Sequence, residues 1–170
     1  NISYRYNNNE NTSIKNINFK IKANTITVLT GKIGSGKSTV LKSVIGLLDQ
    51  QKGDLLWNKK IIERPKDFFI PPRVAYTPQV PYLLSTTIKE NISQGYPVEE
   101  QDIEQAIYYA VFETDAKKLK DGLDTLLGTK GVNLSGGQRS RVAAARMFVK
   151  QPELLVFDDL SSALDVETEQ

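Results

Sequence analysis

The fold is decided by one stretch of the sequence, Gly31-Lys32-Ile33-Gly34-Ser35-Gly36-Lys37-Ser38. It fits G-x-x-x-x-G-K-[ST] in full, the pattern of a loop whose backbone N–H groups converge on a phosphate. In such a loop Lys37 would bring its charge to the β- and γ-phosphates of a nucleotide. Ser38 would offer its hydroxyl to Mg²⁺, and Thr39 would touch the α-phosphate region. The competing interpretation is a glycine-rich turn with a surface lysine.

The residues on either side of this loop favour the phosphate site. The β-branched run 26–30 predicts a short strand that ends at Gly31. Residues 38–48 place apolar side chains at helical spacing and predict a helix. A strand, a glycine loop and a helix in this order form the context in which a phosphate loop is found.

A second stretch predicts the metal side of the site. Residues 154–157 are wholly apolar, which is typical of a strand buried on both faces of a parallel sheet. Asp158 follows directly, where a carboxylate would hold the Mg²⁺ shell of a bound nucleotide. Its alternative role is that of a helix cap or turn residue. Asp159 comes next and is placed to polarise an attacking water, or is a solvated turn residue.

The remaining chain predicts an α/β core with a helical insertion. Residues 2–6 and 14–21 alternate as half-buried strands do. The prolines of residues 64–81 are incompatible with a helix and leave a short strand over 73–77. Ser135 would cap a helix over 136–150. An acid-rich helix is predicted behind Pro97, and its apolar face would be formed by Ile103, Ala106, Ile107, Ala110 and Val111.

Composition excludes several classes of site. The 170 residues contain neither cysteine nor histidine, which rules out disulfides, cysteine-ligated metals and a histidine base within them. No apolar run approaches the ~18 residues of a membrane span. The net charge is +2, with a surplus of eight positive charges over residues 1–85 and of six negative charges over 86–170. We interpret the basic half as an ordinary solvated surface and expect no nucleic-acid partner.

A third motif gives the family resemblance. It reads Leu134-Ser135-Gly136-Gly137-Gln138, which taken alone is a flexible turn before a helix. Together with the phosphate loop and Asp158, it closely resembles ATP-binding cassette (ABC) ATPases, whose LSGGQ signature closes over the γ-phosphate of an ATP held by a second cassette. The resemblance implies an α/β P-loop NTPase (RecA-like) core with an antiparallel β-subdomain. It also implies a helical signature subdomain at approximately residues 82–145, all within one domain over 1–170.

The resemblance also implies roles for other residues. Tyr6 stands where exporter-type cassettes stack an aromatic on adenine, with Tyr4 as the runner-up and a core aromatic as the alternative. Gln79 matches the Q-loop glutamine that contacts Mg²⁺ and water. The segment Thr87-Ile88-Lys89-Glu90-Asn91-Ile92 resembles the region near the coupling helices of the transmembrane partner. The segment Ser162-Ala163-Leu164-Asp165 resembles the D-loop at the dimer interface.

Three departures from the family pattern stand out. Asp159 replaces the usual Glu, so hydrolysis is expected to be slow. The stretch Gly128-Thr129-Lys130-Gly131 lacks the acid that exporters often carry before the signature. The family's switch histidine normally lies beyond the D-loop, whereas the sequence ends at Gln170. The resemblance therefore implies a C-terminally truncated cassette.

The function implied by the resemblance is that of an ABC transporter cassette that binds and hydrolyses ATP with Mg²⁺. Lys37, Gln79 and Asp159 would be its catalytic residues. ATP-driven dimerisation with a second cassette, identical or different, would power transport at the cytoplasmic face of the membrane, with transmembrane domains fused before Asn1. The alternative is a soluble, non-transport ABC ATPase of DNA repair or translation. Gln79 and Leu134 are only 55 residues apart, and the segment between them contains no heptad run of the kind that forms a long coiled coil in chromosome-type relatives. This favours the transporter.

Overall fold

A computed structural model of the chain describes residues 1–6, 13–48, 52–128 and 134–158. The chain forms two compact units, residues 1–70 and residues 71–170. The first unit carries the phosphate loop, and the second carries Gln79, the signature motif and Asp158.

The first unit is built on an antiparallel strand pair and one helix. Strand β1 (Ile2–Arg5) pairs with β2 (Ser13–Ile17), and helix α1 (Lys37–Val44) contacts both strands. Strand β2 ends at Ile17, so the strand predicted over 14–21 is too long. The small core of this unit consists of Ile2, Ile14, Val40 and Leu55.

A tight hairpin in the first unit was missed by the sequence analysis. Strands β3 (Leu56–Trp57) and β4 (Lys60–Ile61) pair antiparallel through Asn58 and Lys59, whose φ angles are 49° and 69°. Positive φ at both central positions is the requirement of a two-residue type I′ turn, and asparagine tolerates it well.

A single helical turn, α2 (Pro65–Phe68), follows the hairpin. The prediction that residues 64–81 contain no helix is therefore wrong. Pro65 occupies the first helical position, where its missing N–H is not needed and its fixed φ suits the helix. The turn presents Phe68 to the Trp57 ring at 5.9 Å between ring centroids.

The strand predicted over residues 26–30 is absent. Ile26 and Val28 are 94% and 75% exposed, and among the described residues no strand pairs with this run. Strand preference of β-branched residues reflects packing against neighbouring strands rather than an intrinsic backbone preference. Residues 26–30 therefore have the composition of a buried strand, but no described strand lies beside them to form its hydrogen bonds.

The second unit contains a parallel strand pair. Strand β5 (Val74–Thr77) pairs with β6 (Leu154–Phe157) in continuous register from Val74 opposite Leu154 to Thr77 opposite Phe157. Both strands were predicted. Burial of β6 on both faces was also expected and is wrong, because only Val156 is fully buried and its three neighbours are half-buried.

Helices supply the core of the second unit. In chain order they are α3 (Ile88–Ser93), α4 (Glu100–Tyr109), α5 (Glu113–Lys118), a 3-10 turn (Gly122–Asp124) and α6 (Gly136–Phe148). Helix α6 packs on both α3 and α4, and Phe112, Ile88, Ile92, Ile103 and Val142 are among the side chains completely excluded from solvent. None of the described helices has both the length and the apolar character that a membrane crossing requires.

One helix start and one helix end refine the predictions. Helix α3 opens with a capping box in which Thr87 and Glu90 bond each other's backbone N–H groups. Helix α4 ends before Val111, which is 63% exposed with a φ of 54°. Val111 therefore does not belong to the apolar face predicted for α4, whereas Ile103 and Ala106 are buried as predicted.

Candidate nucleotide site and signature loop

The phosphate loop ends in a helix start that has no side-chain cap. Gly36 occupies the N-cap position of α1 with a φ of 91°, and Gly34 has a φ of 78°. Both angles lie in the left-handed region that glycine adopts at low cost. Because glycine has no side chain to bond the first N–H groups of the helix, an anion can take that place at the positive end of the helix dipole.

Lys37 folds back over this loop. Its Nζ donates hydrogen bonds to the carbonyl oxygens of Gly31 at 2.9 Å and Lys32 at 3.1 Å, and the Ser35 N–H closes a turn onto Lys32 O at 3.1 Å. The ammonium group is therefore held beside the loop backbone by two neutral acceptors. A phosphate oxygen is a stronger acceptor, because its hydrogen bond to an ammonium joins two opposite charges.

The remaining loop residues differ in exposure. Ile33 is fully exposed, Ser38 is half-buried, and Thr39 is 7% exposed on the inner side of α1. Tyr4 and Tyr6 are both half-buried, with their rings edge-to-face at 4.8 Å between centroids. Tyr4 packs against the core of the first unit. This arrangement favours Tyr6 over Tyr4 as the ring available to a ligand.

Gln79 and Asp158 leave the same edge of the parallel strand pair. Asp158 directly follows β6, and its N–H donates to the Thr77 carbonyl at 3.1 Å. Gln79 is exposed and lies two residues beyond Thr77. Asp158 is 7% exposed, and its Oδ2 accepts a hydrogen bond from the Tyr76 hydroxyl at 3.3 Å. Asp158 and Gln79 thus follow the carboxyl ends of these two parallel strands, the edge at which α/β sheets bind ligands.

The signature motif forms the start of α6. Ser135 is its N-cap: Ser135 Oγ accepts from the Gln138 N–H at 3.2 Å, and Gln138 Oε1 accepts from the Ser135 N–H at 2.9 Å. Leu134 and Gly137 are buried, whereas Ser135 and Gly136 are exposed. Apart from its chain neighbours and the backbone of its own helix, no atom of the described residues lies within 4 Å of the position that a Gly136 Cβ would take. The motif is therefore anchored by its buried residues and presents a serine hydroxyl and an open glycine at a helix N-terminus.

Several predicted residues lie outside the described part of the chain. They are Asp159, the segment Ser162–Asp165 and the residues Thr129–Gly131. Conversely, two hydrogen bonds of the site were not predicted. They join the Tyr76 hydroxyl to Asp158 and the Gln138 amide to Asp115. These pairs are 82 and 23 residues apart, so no local motif could have indicated them.

A protein-family model that matches most of the chain identifies its family. A model of the ABC transporter family matches residues 14–162. The chain belongs to the ABC transporter family. A solved bacterial Atm1-family ABC exporter with ATP bound is similar to this ABC transporter chain, with a TM-score of 0.75 and 34% identity over 82% of this chain and 25% of the exporter. The family resemblance and the predicted α/β P-loop NTPase fold are thereby confirmed.

Curated relatives cover the whole of this ABC transporter chain. It is 37% identical over 172 residues to a Rickettsia typhi protein named as an export ATP-binding/permease protein, across 100% of this chain and 30% of the relative. It is 34% identical over 169 residues to the Bacillus subtilis protein YheI, named as a multidrug resistance ABC transporter ATP-binding/permease protein, across 99% of this chain and 29% of YheI. The chain thus spans about 30% of the length of these relatives.

Proposed function

We propose that this chain is the ATP-binding cassette of an exporter-type ABC transporter, which binds ATP with Mg²⁺, hydrolyses it and powers transport. The observation that carries the proposal is the uncapped helix start of the phosphate loop, with the Lys37 ammonium resting on the carbonyls of Gly31 and Lys32. Membership of the family and the export function in the relatives' names support it.

Within this proposal, the loop binds the phosphates of ATP. The backbone N–H groups of residues 31–39 and the dipole of α1 hold the β-phosphate. Lys37 exchanges its two carbonyl partners for β- and γ-phosphate oxygens, which gives a charge-assisted contact. Tyr6 stacks on adenine, and the packing of Tyr4 into the core supports this choice.

The residues proposed for the metal are Ser38, Gln79 and Asp158. A hydroxyl, an amide oxygen and a carboxylate form the hard-oxygen set that suits Mg²⁺. The Tyr76 hydroxyl donates to Asp158 Oδ2 and helps to hold the rotamer of that carboxylate. The bound Mg²⁺ would neutralise charge that develops on the β- and γ-phosphates during transfer.

The proposed partners are a second cassette and transmembrane domains. The signature residues 134–138 would meet the γ-phosphate of an ATP held by the second cassette, because Ser135 and Gly136 are the exposed members of the motif. We assign residues 1–170 to one ABC ATPase domain with a helical subdomain over approximately 82–145. The relatives' names join an ATP-binding part to a permease, which supports fused membrane domains and a position at the cytoplasmic face of the membrane.

The test of the ATP site is Lys37→Ala. Removing a charge-assisted contact of about 1.5–3 kcal/mol should weaken ATP binding tenfold or more, as measured by calorimetry with Mg²⁺ present. Lys20→Ala is the matched control, since it removes the same charge from an exposed site in the same unit. Equal ATP affinities of the folded wild type and Lys37→Ala would refute the proposed site.

Asp159 is proposed to position the attacking water, and its length is expected to make hydrolysis slow. Aspartate is one methylene shorter than the usual glutamate, and a misplacement of ~1 Å can cost on the order of a hundredfold in rate. Asp159→Glu in the full-length protein should therefore raise turnover while ATP affinity stays the same. No rise in turnover, together with a large loss for Asp159→Asn, would show that Asp159 already holds the water competently.

A further inference from the structure

A half-buried carboxylate of α5, that of Asp115, contacts the first turn of the signature helix. Asp115 Oδ1 accepts a hydrogen bond from Gln138 Nε2 at 3.0 Å, and Asp115 Oδ2 accepts one from Arg141 Nε at 2.8 Å. The side chains of Arg141 and Asp115 are only 12% and 16% exposed. Both carboxylate oxygens thus have donors from α6, on residues that are one helical turn apart.

This contact determines which way the Gln138 amide points. The two ends of a glutamine amide have nearly the same shape, and only their hydrogen-bond partners distinguish them. A carboxylate is an acceptor only, so Asp115 requires the NH₂ end of Gln138. The amide oxygen then faces the Ser135 N–H, from which it accepts at 2.9 Å. The capping box at Ser135 therefore depends on a residue 23 positions upstream of Gln138.

We propose that Asp115 is a positioning residue for the signature loop. It orients the Gln138 amide, Gln138 in turn holds the backbone of Ser135, and the loop is thereby preset to meet the phosphate of a nucleotide held by a second cassette. The last of these steps rests on the proposed function. Asp115 itself touches no ligand in this arrangement, since its two oxygens are occupied by Gln138 and Arg141.

Asp115→Asn is the informative substitution because it keeps the size and removes one acceptor. If the new amide oxygen faces Arg141, its NH₂ group faces the NH₂ group of Gln138 and forces that amide to turn over. The turned amide then presents a donor to the Ser135 N–H, which is also a donor. If the new amide oxygen faces Gln138 instead, a donor faces the Arg141 guanidinium. One buried donor pair is unsatisfied in either arrangement.

The first measurement needs no nucleotide. Hydrogen exchange of the Ser135 backbone N–H, followed by NMR, should speed up tenfold or more in Asp115→Asn. It should stay within twofold of wild type in Asp121→Asn, which makes the same chemical change at an exposed position outside α5. Unchanged exchange at Ser135 in folded Asp115→Asn would overturn the positioning role, whatever the protein does with ATP.

The second measurement tests the link to nucleotide. In sedimentation velocity with a non-hydrolysable ATP analogue and Mg²⁺, Asp115→Asn should associate at least tenfold more weakly, while each monomer binds the analogue within twofold of wild type. Wild-type association strength in Asp115→Asn would overturn the link. Altered exchange at Ser135 in a protein whose wild type never associates would instead refute the proposed function and leave the positioning role standing.

A double variant separates the loss of the acceptor for Gln138 from a loss of folding. Asp115→Leu with Arg141→Met removes both charges of the half-buried pair together, so that neither charge is left without its partner. It should fold and bind the analogue as wild type does, yet show the faster exchange at Ser135 and the weaker association. A double variant with wild-type exchange at Ser135 would show that Gln138 needs no acceptor on α5.

Discussion

Arg146 holds helix α6 to the segment that precedes and begins α3. Its guanidinium donates from Nε to Asn91 O at 2.8 Å, from one terminal nitrogen to Asn91 Oδ1 at 2.9 Å, and from the other to Tyr82 O at 2.9 Å. Asn91 is completely buried and also bonds the Leu84 N–H and C=O at 2.7 Å and 3.0 Å. Replacement of Arg146 should therefore loosen the packing of α6 on α3.

The expected loss for Arg146→Met follows from these three bonds. The two bonds to buried Asn91 are hydrogen bonds to a charged group, each contributing about 1.5–3 kcal/mol. The Tyr82 carbonyl belongs to an exposed residue, so water can replace the third donor. Burial lowers the pKa of Arg146, which means that the charge is partly desolvated, and methionine recovers part of that cost. We expect a net loss of about 2–4 kcal/mol in the free energy of unfolding.

Urea unfolding followed by circular dichroism measures this loss. With a denaturant slope of about 2 kcal/mol per molar, in the middle of the usual range, the midpoint should fall by roughly 1–2 M. Arg64→Met is the matched control, because Arg64 forms an exposed ion pair with Asp67 at 3.0 Å, and such pairs contribute about 0–1 kcal/mol. A loss in Arg146→Met no larger than the loss in Arg64→Met would refute the reasoning.

Two further substitutions test the core and the loop. Phe112→Ala, at a completely buried position, should cost about 3–5 kcal/mol in thermal unfolding, whereas Tyr108→Ala at a 63% exposed position should cost far less. A similar loss in both would contradict the core assignment. Gly36→Ala should destabilise more than Gly34→Ala in urea. The Cβ at position 36 would stand 3.1 Å from Ile14 Cγ2, whereas a Cβ at position 34 would meet none of the described atoms within 4 Å beyond its chain neighbours. The reverse order would contradict the described loop.

The sequence predicted elements well where the signal is local. Ser135 and the apolar run 154–157 indicated α6 and β6, because an N-cap serine and a continuous apolar strand are short-range patterns. The run 26–30 has the same kind of composition as β6 and yet forms no strand. The difference lies in pairing: β6 has β5 beside it, and a single sequence does not reveal which strands are neighbours.

The residues of the candidate site could likewise be predicted only where the sequence carries a local motif. The phosphate loop is a contiguous motif whose residues could be predicted from their spacing, whereas roles for the signature residues came only from the resemblance to ABC ATPases. Helix α5 has no motif of its own and was missed, and with it the carboxylate of Asp115. Thr87 and Glu90 matched the capping-box pattern, so the start of α3 was available in the sequence and was passed over.

The capping boxes of α3 and α6 differ by one formal charge. Helix α3 closes its box with Glu90, whereas α6 closes its box with the neutral Gln138. A glutamate would stabilise the positive end of α6 better than a glutamine does. It would also face Asp115 and repel any anion that approaches Ser135. At position 138 a negative charge would suit the helix dipole but would be opposed by Asp115 and by any approaching phosphate, so a Gln138→Glu variant would lose the electropositive helix end while gaining little stability.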